Sequence, residues 1–254
     1  MFGRRVAPPV PVDDKRPLVL PDGQAVQVRW VRDARARRLR LIVNEKGVRL
    51  TLPKRASVAL AESFLRDQGG WLQRQLANWL EDEVAEFAVG SERHLLLRGE
   101  RVPLTWLEGR YAKVSLGNHG IEIALPVRAT LKHARVAIRD FYLDQAKSDL
   151  NRWLPNYLPA LPRGPTGYRI RPLSSIWGSL SAGDALSLDL ALVLGAPSTF
   201  EYVLVHELCH LVQRNHSPRF WREVEARWPQ WRLERDYLKR EGARLKRELR
   251  RLLG

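Results

Sequence analysis

The spacing of apolar residues changes several times along the chain and separates strand-like from helix-like segments. Alternating or clustered β-forming residues predict strands at 26–31, 39–43 and 48–53. A turn at 44–47 joins the last two strands, which is the pattern of a β-hairpin. From Ser57, a predicted N-cap, apolar residues recur at helical spacing through Leu80. Gly69 and Gly70 are predicted to break or bend this helix.

A second group of segments repeats this order. Strand-like residues within 113–126 flank a turn, and a predicted helix begins after Thr130. The segments 47–53 and 120–126 both run from a glycine through alternating apolar residues to Leu-Pro. We therefore predict two related β-β-α units, with a further hairpin at 94–108 between them.

The third part of the chain differs in pattern from the first two. Prolines and glycines are frequent just before residue 165, so we predict a domain boundary there. Beyond it, strand-like segments at 168–173 and 185–194 are predicted to pair antiparallel, with Gly183-Asp184 in the turn. Pro197 then opens a helix, and Glu201 lies close enough to cap its start.

These elements predict an α+β protein in three parts. Residues 1–20 are rich in proline and lack periodicity, so we expect a flexible tail. Residues 21–165 are expected to form small antiparallel β units with helices. Residues 166–254 are expected to form a separate domain, a β-hairpin followed by helices.

The helix after Pro197 carries the pattern HExxH, formed by His206, Glu207 and His210. At 3.6 residues per turn the two histidines project from one face, about 6 Å apart along the axis, so both imidazoles can bind one ion. Glu207 lies about 100° round the helix, where it can flank a water molecule on that ion. Zinc would lower the pKa of this water, and Glu207 would accept its proton as a general base.

Catalytic zinc usually has a third protein ligand and leaves its fourth place to water. His216 is the predicted third ligand, because a left-handed turn at Asn215 would swing it back toward the other two histidines. The alternative third ligand is an acidic residue of the next helix, Glu223 or Glu225.

Other residues of similar chemistry are predicted to be structural. The remaining histidines, which are dispersed along the chain, are His94, His119 and His133. Cys209 lies in mid-helix and is interpreted as a small buried hydrophobe rather than a ligand. Packing in the core is the prediction, and lining of a substrate cleft the alternative, for the tryptophans Trp177, Trp221, Trp228 and Trp231.

Composition narrows the class of protein without naming a function. The 254 residues include a single cysteine and are 44% hydrophobic, which excludes a disulfide scaffold and a low-complexity protein. No segment has the pattern of a signal peptide or a bilayer-spanning helix, so we expect a soluble cytoplasmic protein without a membrane partner. A net charge of +15 favours an anionic partner such as nucleic acid or a nucleotide. The alternative is that the charge reflects only an arginine-rich composition, since 35 of the 43 basic residues are arginine.

Several segments carry a family resemblance when they are read in order. They are VRDARARRLRLIVNEKGVRLTLP, LRGERVPL, SSIWGSLSAGDALSLDLALVLGAP, YVLVHELCHLVQRNHSPRFWREV and Trp228-Pro229. From about residue 25 to 240 the chain resembles the YgjP-like metal-dependent hydrolases, which are allied to the SprT-like and WLM metallopeptidases. The resemblance implies a gluzincin-like active-site helix under a small antiparallel sheet. It also implies zinc held by His206, His210 and His216, with Glu207 catalytic.

Three functions remain open at this point. The first is a zinc-dependent peptidase whose extended substrate pairs with the strand near 185–194. The second is a metal-dependent nucleotide pyrophosphohydrolase, since arginines suit phosphate. The third is a nucleic-acid-associated protein with structural zinc, for which the evidence is two basic segments. Their residues are Arg29, Arg32, Arg35, Arg37, Arg38 and Arg40, and then Arg232, Arg235, Lys239, Arg240, Arg244, Lys246, Arg247, Arg250 and Arg251.

Overall fold

The computed structural model describes residues 13–44, 47–80 and 86–254. The chain divides into two compact units, the N-terminal unit Met1–Ala85 and the C-terminal unit Glu86–Gly254. The boundary expected near residue 165 lies inside the C-terminal unit. A single hydrophobic core there includes residues from both sides of that position, such as Ile138 and Leu204.

The N-terminal unit is a four-stranded sheet followed by two helices. Its elements are β1 (Asp13–Val19), β2 (Ala25–Asp33), β3 (Arg40–Asn44), β4 (Gly47–Pro53), α1 (Val58–Asp67) and α2 (Gly69–Leu80). The strand order is β1-β2-β4-β3. β3 and β4 form the predicted hairpin, whereas β2 and β4 run parallel, which corrects the antiparallel prediction. Ser57 caps α1 as predicted, and α2 begins at the double glycine.

The prediction of a tail is wrong for residues 13–19. They form β1, which pairs antiparallel with β2 at one edge of the sheet and places Pro17 opposite Gln27. An edge strand tolerates proline because one of its sides needs no amide donor. The prolines that suggested a tail are therefore compatible with a strand, and residues 1–12 lie outside the described residues.

The C-terminal unit begins with a sheet of the same design. Its strands are β5 (His94–Leu97), β6 (Glu100–Glu108), β7 (Lys113–Gly117) and β8 (Gly120–Leu125), and helix α3 (Leu131–Tyr157) follows. The order β5-β6-β8-β7 and the parallel pairing of β6 with β8 repeat the N-terminal sheet. At the matching turns Gly47 and Gly120 have φ of 93° and 130°, where only glycine is free of strain. The predicted repeat is thus present, and each copy has four strands before its helix rather than two.

A third, three-stranded sheet lies beyond α3. It contains β9 (Gly167–Arg171), β10 (Gly178–Leu180) and β11 (Ala185–Asp189) in the order β10-β11-β9. β11 pairs parallel with β9 and antiparallel with β10, so the predicted antiparallel pair of 168–173 with 185–194 is wrong. The turn at Gly183-Asp184 instead joins β10 to β11, with Asp184 at φ 61°. Residues Leu190–Leu194 form a short 3₁₀ helix rather than strand.

Three further helices complete the unit. They are α4 (Pro197–Cys209), α5 (Pro218–Arg227) and α6 (Trp231–Leu253). α4 is buried on most of its surface, including Leu204, Val205 and Leu208. Glu201 does not cap α4, because its carboxylate accepts a hydrogen bond from the Tyr157 hydroxyl at 2.8 Å. The α+β class is confirmed, and no helix of the described residues is long and apolar enough to span a bilayer.

Candidate metal centre

The three histidines of the predicted site lie together at the end of α4. His206 belongs to the helix and His210 is its C-cap. His216 comes back from the loop before α5, so that its Nε2 lies 3.0 Å from Nε2 of His206. One ligand atom from each of the three residues lies within 4.8 Å of the others. The donors therefore converge on one small volume.

The loop that returns His216 begins earlier than the sequence suggests. α4 ends at Cys209, and a tight turn follows in which the Gln213 N–H donates to the Cys209 carbonyl at 2.9 Å. Among the described residues the positive φ values outside glycine belong to Arg98 and Asp184, so the predicted left-handed turn at Asn215 is wrong. The Asn215 side chain instead accepts the Ser217 N–H at 3.3 Å. This bond shapes the entry into α5.

An arginine fixes the same loop to the neighbouring sheet. The Arg214 guanidinium donates to the Ser181 carbonyl at 2.9 Å and pairs with Asp184. Asp184 also pairs with Arg163 at 2.6 Å. Hydrogen bonds from Arg163 and then Arg214 lower the pKa of the Asp184 carboxyl, so it stays ionised near neutral pH. The loop carrying His216 is thus tied to the turn between β10 and β11.

Aromatic rings support the three imidazoles. Phe220 of α5 stacks on His210 with centroids 4.4 Å apart, and Trp221 lies edge-on to His206 at 5.7 Å. The His210 Nδ1–H donates to the Gln213 carbonyl at 3.0 Å, which leaves its Nε2 available as a ligand. Nδ1 of His206 is buried without a hydrogen-bond partner among the described residues.

Burial favours the neutral form of His206 and of His210. It lowers the pKa of His206 to about 3, with smaller contributions from His210 and His216. Burial also lowers the pKa of His210, against the hydrogen bond to Gln213 that raises it. Neutral imidazole is the form that binds a metal ion.

Glu207 lies beside this cluster, at the wall of a cavity. Its side chain is buried, and burial raises its pKa to about 7, against the lowering effect of a hydrogen bond from the Leu180 backbone amide. A Cβ added to Gly178 would lie 2.7 Å from Cγ of Glu207. The absence of a side chain at Gly178 therefore creates the space that the carboxylate occupies.

The cavity in front of the histidines has a volume of about 570 Å³. Its walls come from the segment before β10, from α4, from α5 and from α6. Residues of these walls outside the predicted site include Ile176, Trp177, Tyr202, Trp221, Arg235 and Lys239. Trp177 and Trp221 pack against the core, as predicted, and they also line the cavity, which is the alternative for these residues. Trp231 is buried, as predicted.

The alternative ligands are engaged elsewhere. Glu223 pairs with Arg227 at 2.6 Å, and Glu225 pairs with Arg232 at 3.0 Å. Cys209 is fully buried, and burial raises the pKa of its thiol to about 12. His133 accepts the Thr130 N–H at 3.0 Å in the cap of α3, which is a structural role.

Residues of the cavity wall that sequence reasoning missed include Gly178, Tyr202, Arg235 and Lys239. Tyr202 lies one turn before His206 on α4, and burial raises the pKa of its hydroxyl to about 12. Helical spacing from His206 is a signal that could have identified Tyr202. Arg235 and Lys239 carry no comparable signal in a chain with 43 lysines and arginines.

Comparison with known proteins shows the family to which the chain belongs. Among solved structures, the crystal structure of the metallopeptidase zymogen of Pyrococcus abyssi abylysin matches at 28% identity, covering 41% of this chain and 93% of that chain, with a TM-score of 0.29. No curated protein matches. The family model for the YgjP-like metallopeptidase domain matches residues 37–241. The chain therefore belongs to the YgjP-like family of metallopeptidase domains.

Proposed function

We propose that the protein is a zinc-dependent peptidase in which His206, His210 and His216 hold the ion and Glu207 is the general base. The observation that carries the proposal is the convergence of the three imidazoles beside a cavity that a buried carboxylate lines. Membership of a metallopeptidase family agrees with a hydrolytic reaction and a peptide or protein substrate.

The donor set fits zinc. Two ligands bound to a tetrahedral ion at about 2.05 Å lie roughly 3.3 Å apart. The Nε2 atoms of His206 and His216 are 3.0 Å apart, which is close to this separation. Three protein ligands facing a cavity are typical of catalytic zinc, whereas structural zinc usually has four. This arrangement favours the catalytic reading over the alternative of structural zinc.

Glu207 has the properties that proton transfer requires. A bound zinc ion lowers the pKa of water and polarises a carbonyl group. With a pKa of about 7, Glu207 can accept a proton from the attacking water and return it to the leaving amine near neutral pH. The Tyr202 hydroxyl, whose pKa is raised to about 12, stays protonated and can donate a hydrogen bond into the same cavity.

An extended substrate has an edge strand to pair with, but it is not the predicted one. β11 lies between β10 and β9, so the segment near 185–194 has no free edge for a peptide. β10 is one of the two edge strands of this sheet, and Gly178 at its start lines the cavity beside Glu207. We infer that the peptide backbone pairs with β10 and passes in front of the histidines.

Substitution of Glu207 tests the proposed chemistry. We expect Glu207→Gln to lower kcat on casein or peptides by roughly 10²- to 10⁴-fold while zinc content stays unchanged. Glu225→Gln, on the exposed side of α5, is the matched control and should keep full activity. Zinc-loaded protein without any Glu207-dependent hydrolysis would contradict the peptidase. Release of pyrophosphate from nucleoside triphosphates would instead support the nucleotide hydrolase.

A second candidate function is nucleic-acid binding by the N-terminal unit. A cavity of about 620 Å³ beside β3 and β4 is lined by an arginine cluster. Its members are Arg35, Arg37, Arg38, Arg40 and Arg49. These side chains are exposed and have no ion-pair partner among the described residues. Two basic residues of α6, Lys239 and Arg244, differ from this cluster because they form ion pairs with acidic residues of the same helix.

The number of arginines in the cluster predicts how steeply DNA affinity falls with salt concentration. Five phosphate contacts would give a slope of about −4.5 for log K against log salt on duplex DNA. Changing Arg35, Arg37 and Arg38 to glutamine should reduce that slope by about three. A control with the same loss of charge changes Arg222, Arg240 and Arg244 instead. Binding that is absent, or that responds equally to both variants, would refute a site at this cluster.

A further inference from the structure

Two cations on α6 face the cavity of the metal centre. Arg235 and Lys239 lie one helical turn apart and both line the cavity wall, close to His206 and His216. Most of their neighbours in that wall are apolar or aromatic, such as Ile176, Trp177 and Leu238. Positive charge from α6 therefore borders the same cavity as Glu207 and the histidines His206 and His216.

Stacking on aromatic rings holds Arg235 in place. Its guanidinium lies 5.5 Å from the centroid of Trp221 and 6.0 Å from that of Trp231. These two indoles stack on each other at 4.3 Å, and Trp221 also packs against His206. A guanidinium held on a ring keeps its hydrogen-bond donors free at its edge. The donors of Arg235 are thus available in the cavity that His206 and His216 also line.

Arg235 also differs from its neighbours in having no internal counter-charge. Arg232, one turn earlier, pairs with Glu225 at 3.0 Å, and Lys239 pairs with Asp236 at 2.7 Å. Among the described residues no carboxylate lies within ion-pair distance of Arg235. An arginine guanidinium without an ion-pair partner can bind a carboxylate through two parallel hydrogen bonds.

We propose that Arg235, assisted by Lys239, forms a subsite for a carboxylate of the substrate, so that the preferred peptides carry a negative charge next to the scissile bond. The carboxylate comes either from an Asp or Glu side chain or from a free C-terminus. The inference rests on the proposed peptidase function for its substrate, while the subsite itself rests on the geometry of α6 and Trp221.

Matched peptides test the preference. One series places Glu or Gln on each side of the scissile bond, and a second compares a C-terminal acid with its amide. A charged hydrogen bond to Arg235 should raise kcat/KM for one acidic form by roughly ten- to one-hundred-fold over its neutral partner. The series that responds identifies the source of the carboxylate.

Substitutions on α6 show whether Arg235 carries the preference. Arg235→Gln should bring the acid-to-neutral ratio close to one, and Arg235→Glu should invert it. Arg232→Gln removes the same charge from the same helix outside the cavity wall and should leave the ratio unchanged. A ratio that Arg235→Gln does not alter would overturn the subsite.

A binding measurement tests the carboxylate subsite independently of the proposed peptidase activity. Glu207→Gln protein loaded with zinc should bind the acidic peptide roughly ten-fold or more tightly than the neutral one, measured by calorimetry. Adding Arg235→Gln should abolish the difference. Equal affinities would refute the subsite even if hydrolysis occurs, whereas an Arg235-dependent difference without hydrolysis in the parent protein would refute only the peptidase. Preferential Arg235-dependent binding of pyrophosphate would overturn the carboxylate in favour of phosphate.

Discussion

Gly178→Ala should inactivate the enzyme without removing its metal site. The added Cβ would lie 2.7 Å from Cγ, 2.9 Å from Oε1 and 3.0 Å from Cδ of Glu207. Ordinary van der Waals contacts begin at about 3.4 Å. The backbone of Gly178 has no positive φ, so alanine introduces no backbone strain and the collision with Glu207 is the dominant effect.

The size of the effect follows from the geometry. To relieve the collision, the Glu207 side chain must move by most of an ångström. A catalytic group misplaced by about 1 Å can lower the rate roughly 100-fold. Glu207 is buried but borders the cavity, so relief of the collision would displace its carboxylate toward the cavity. The expected loss of stability from overpacking is about 1–3 kcal/mol. The three atoms nearest the added methyl group all belong to Glu207 and none to a histidine, so we expect zinc affinity to be retained.

The assay measures kcat, zinc content and urea denaturation on the same preparation. Gly167→Ala is the control, because Gly167 lies in the same sheet, has no positive φ and has nothing within 4 Å of its added Cβ. We expect the control to keep the parent kcat. If Gly178→Ala retained that kcat while Glu207→Gln abolished activity, the position of Glu207 inferred here would be wrong.

Three further results should follow. Zinc at 100 times its Kd should stabilise the protein against unfolding by about 2.7 kcal/mol, and the His210→Ala variant should lose this stabilisation. Thermal denaturation of both proteins with and without chelator measures the effect. Lys246→Met should lower the free energy of unfolding, measured by urea denaturation, by about 3–5 kcal/mol. The reason is that the carboxylate of Asp189, which is 1% exposed, would lose its cation. A loss under about 1 kcal/mol would contradict this. Cys209 should resist iodoacetamide at pH 8 until the protein unfolds, since burial raises its pKa to about 12, and rapid labelling of native protein would count against that burial.

The residues of the candidate site could be predicted because they depend on local spacing. The interval between His206 and His210 is one helical turn, and the surrounding apolar residues bury the helix. Their roles as ligands and base remain predictions. The route of the chain to His216 could not be obtained from spacing, because it depends on an early helix end at Cys209 and on Arg214 binding residues of a distant hairpin.

The strand pairing shows where local pattern stops being informative. Alternating residues predicted the hairpins β3-β4, β5-β6 and β7-β8, all of which form. The parallel pair of β11 with β9 joins segments separated by β10, and no turn between them specifies it. Alternation is the same for parallel and antiparallel neighbours of a half-buried strand, so direction depends on long-range packing.

The repeat of one sheet design clarifies where the positive charge can act. In both units the second strand is followed by a connection to a hairpin, but the two connections differ in chemistry. The one after β2 carries Arg35, Arg37 and Arg38, whereas the one after β6 carries Arg110. Because the strands retain the same order and direction, the difference lies in a loop that tolerates substitution. Arg35, Arg37 and Arg38, the members of the arginine cluster in this loop, should therefore be replaceable without loss of the sheet, and any role in binding nucleic acid can be tested apart from the proposed hydrolysis at His206, His210 and His216.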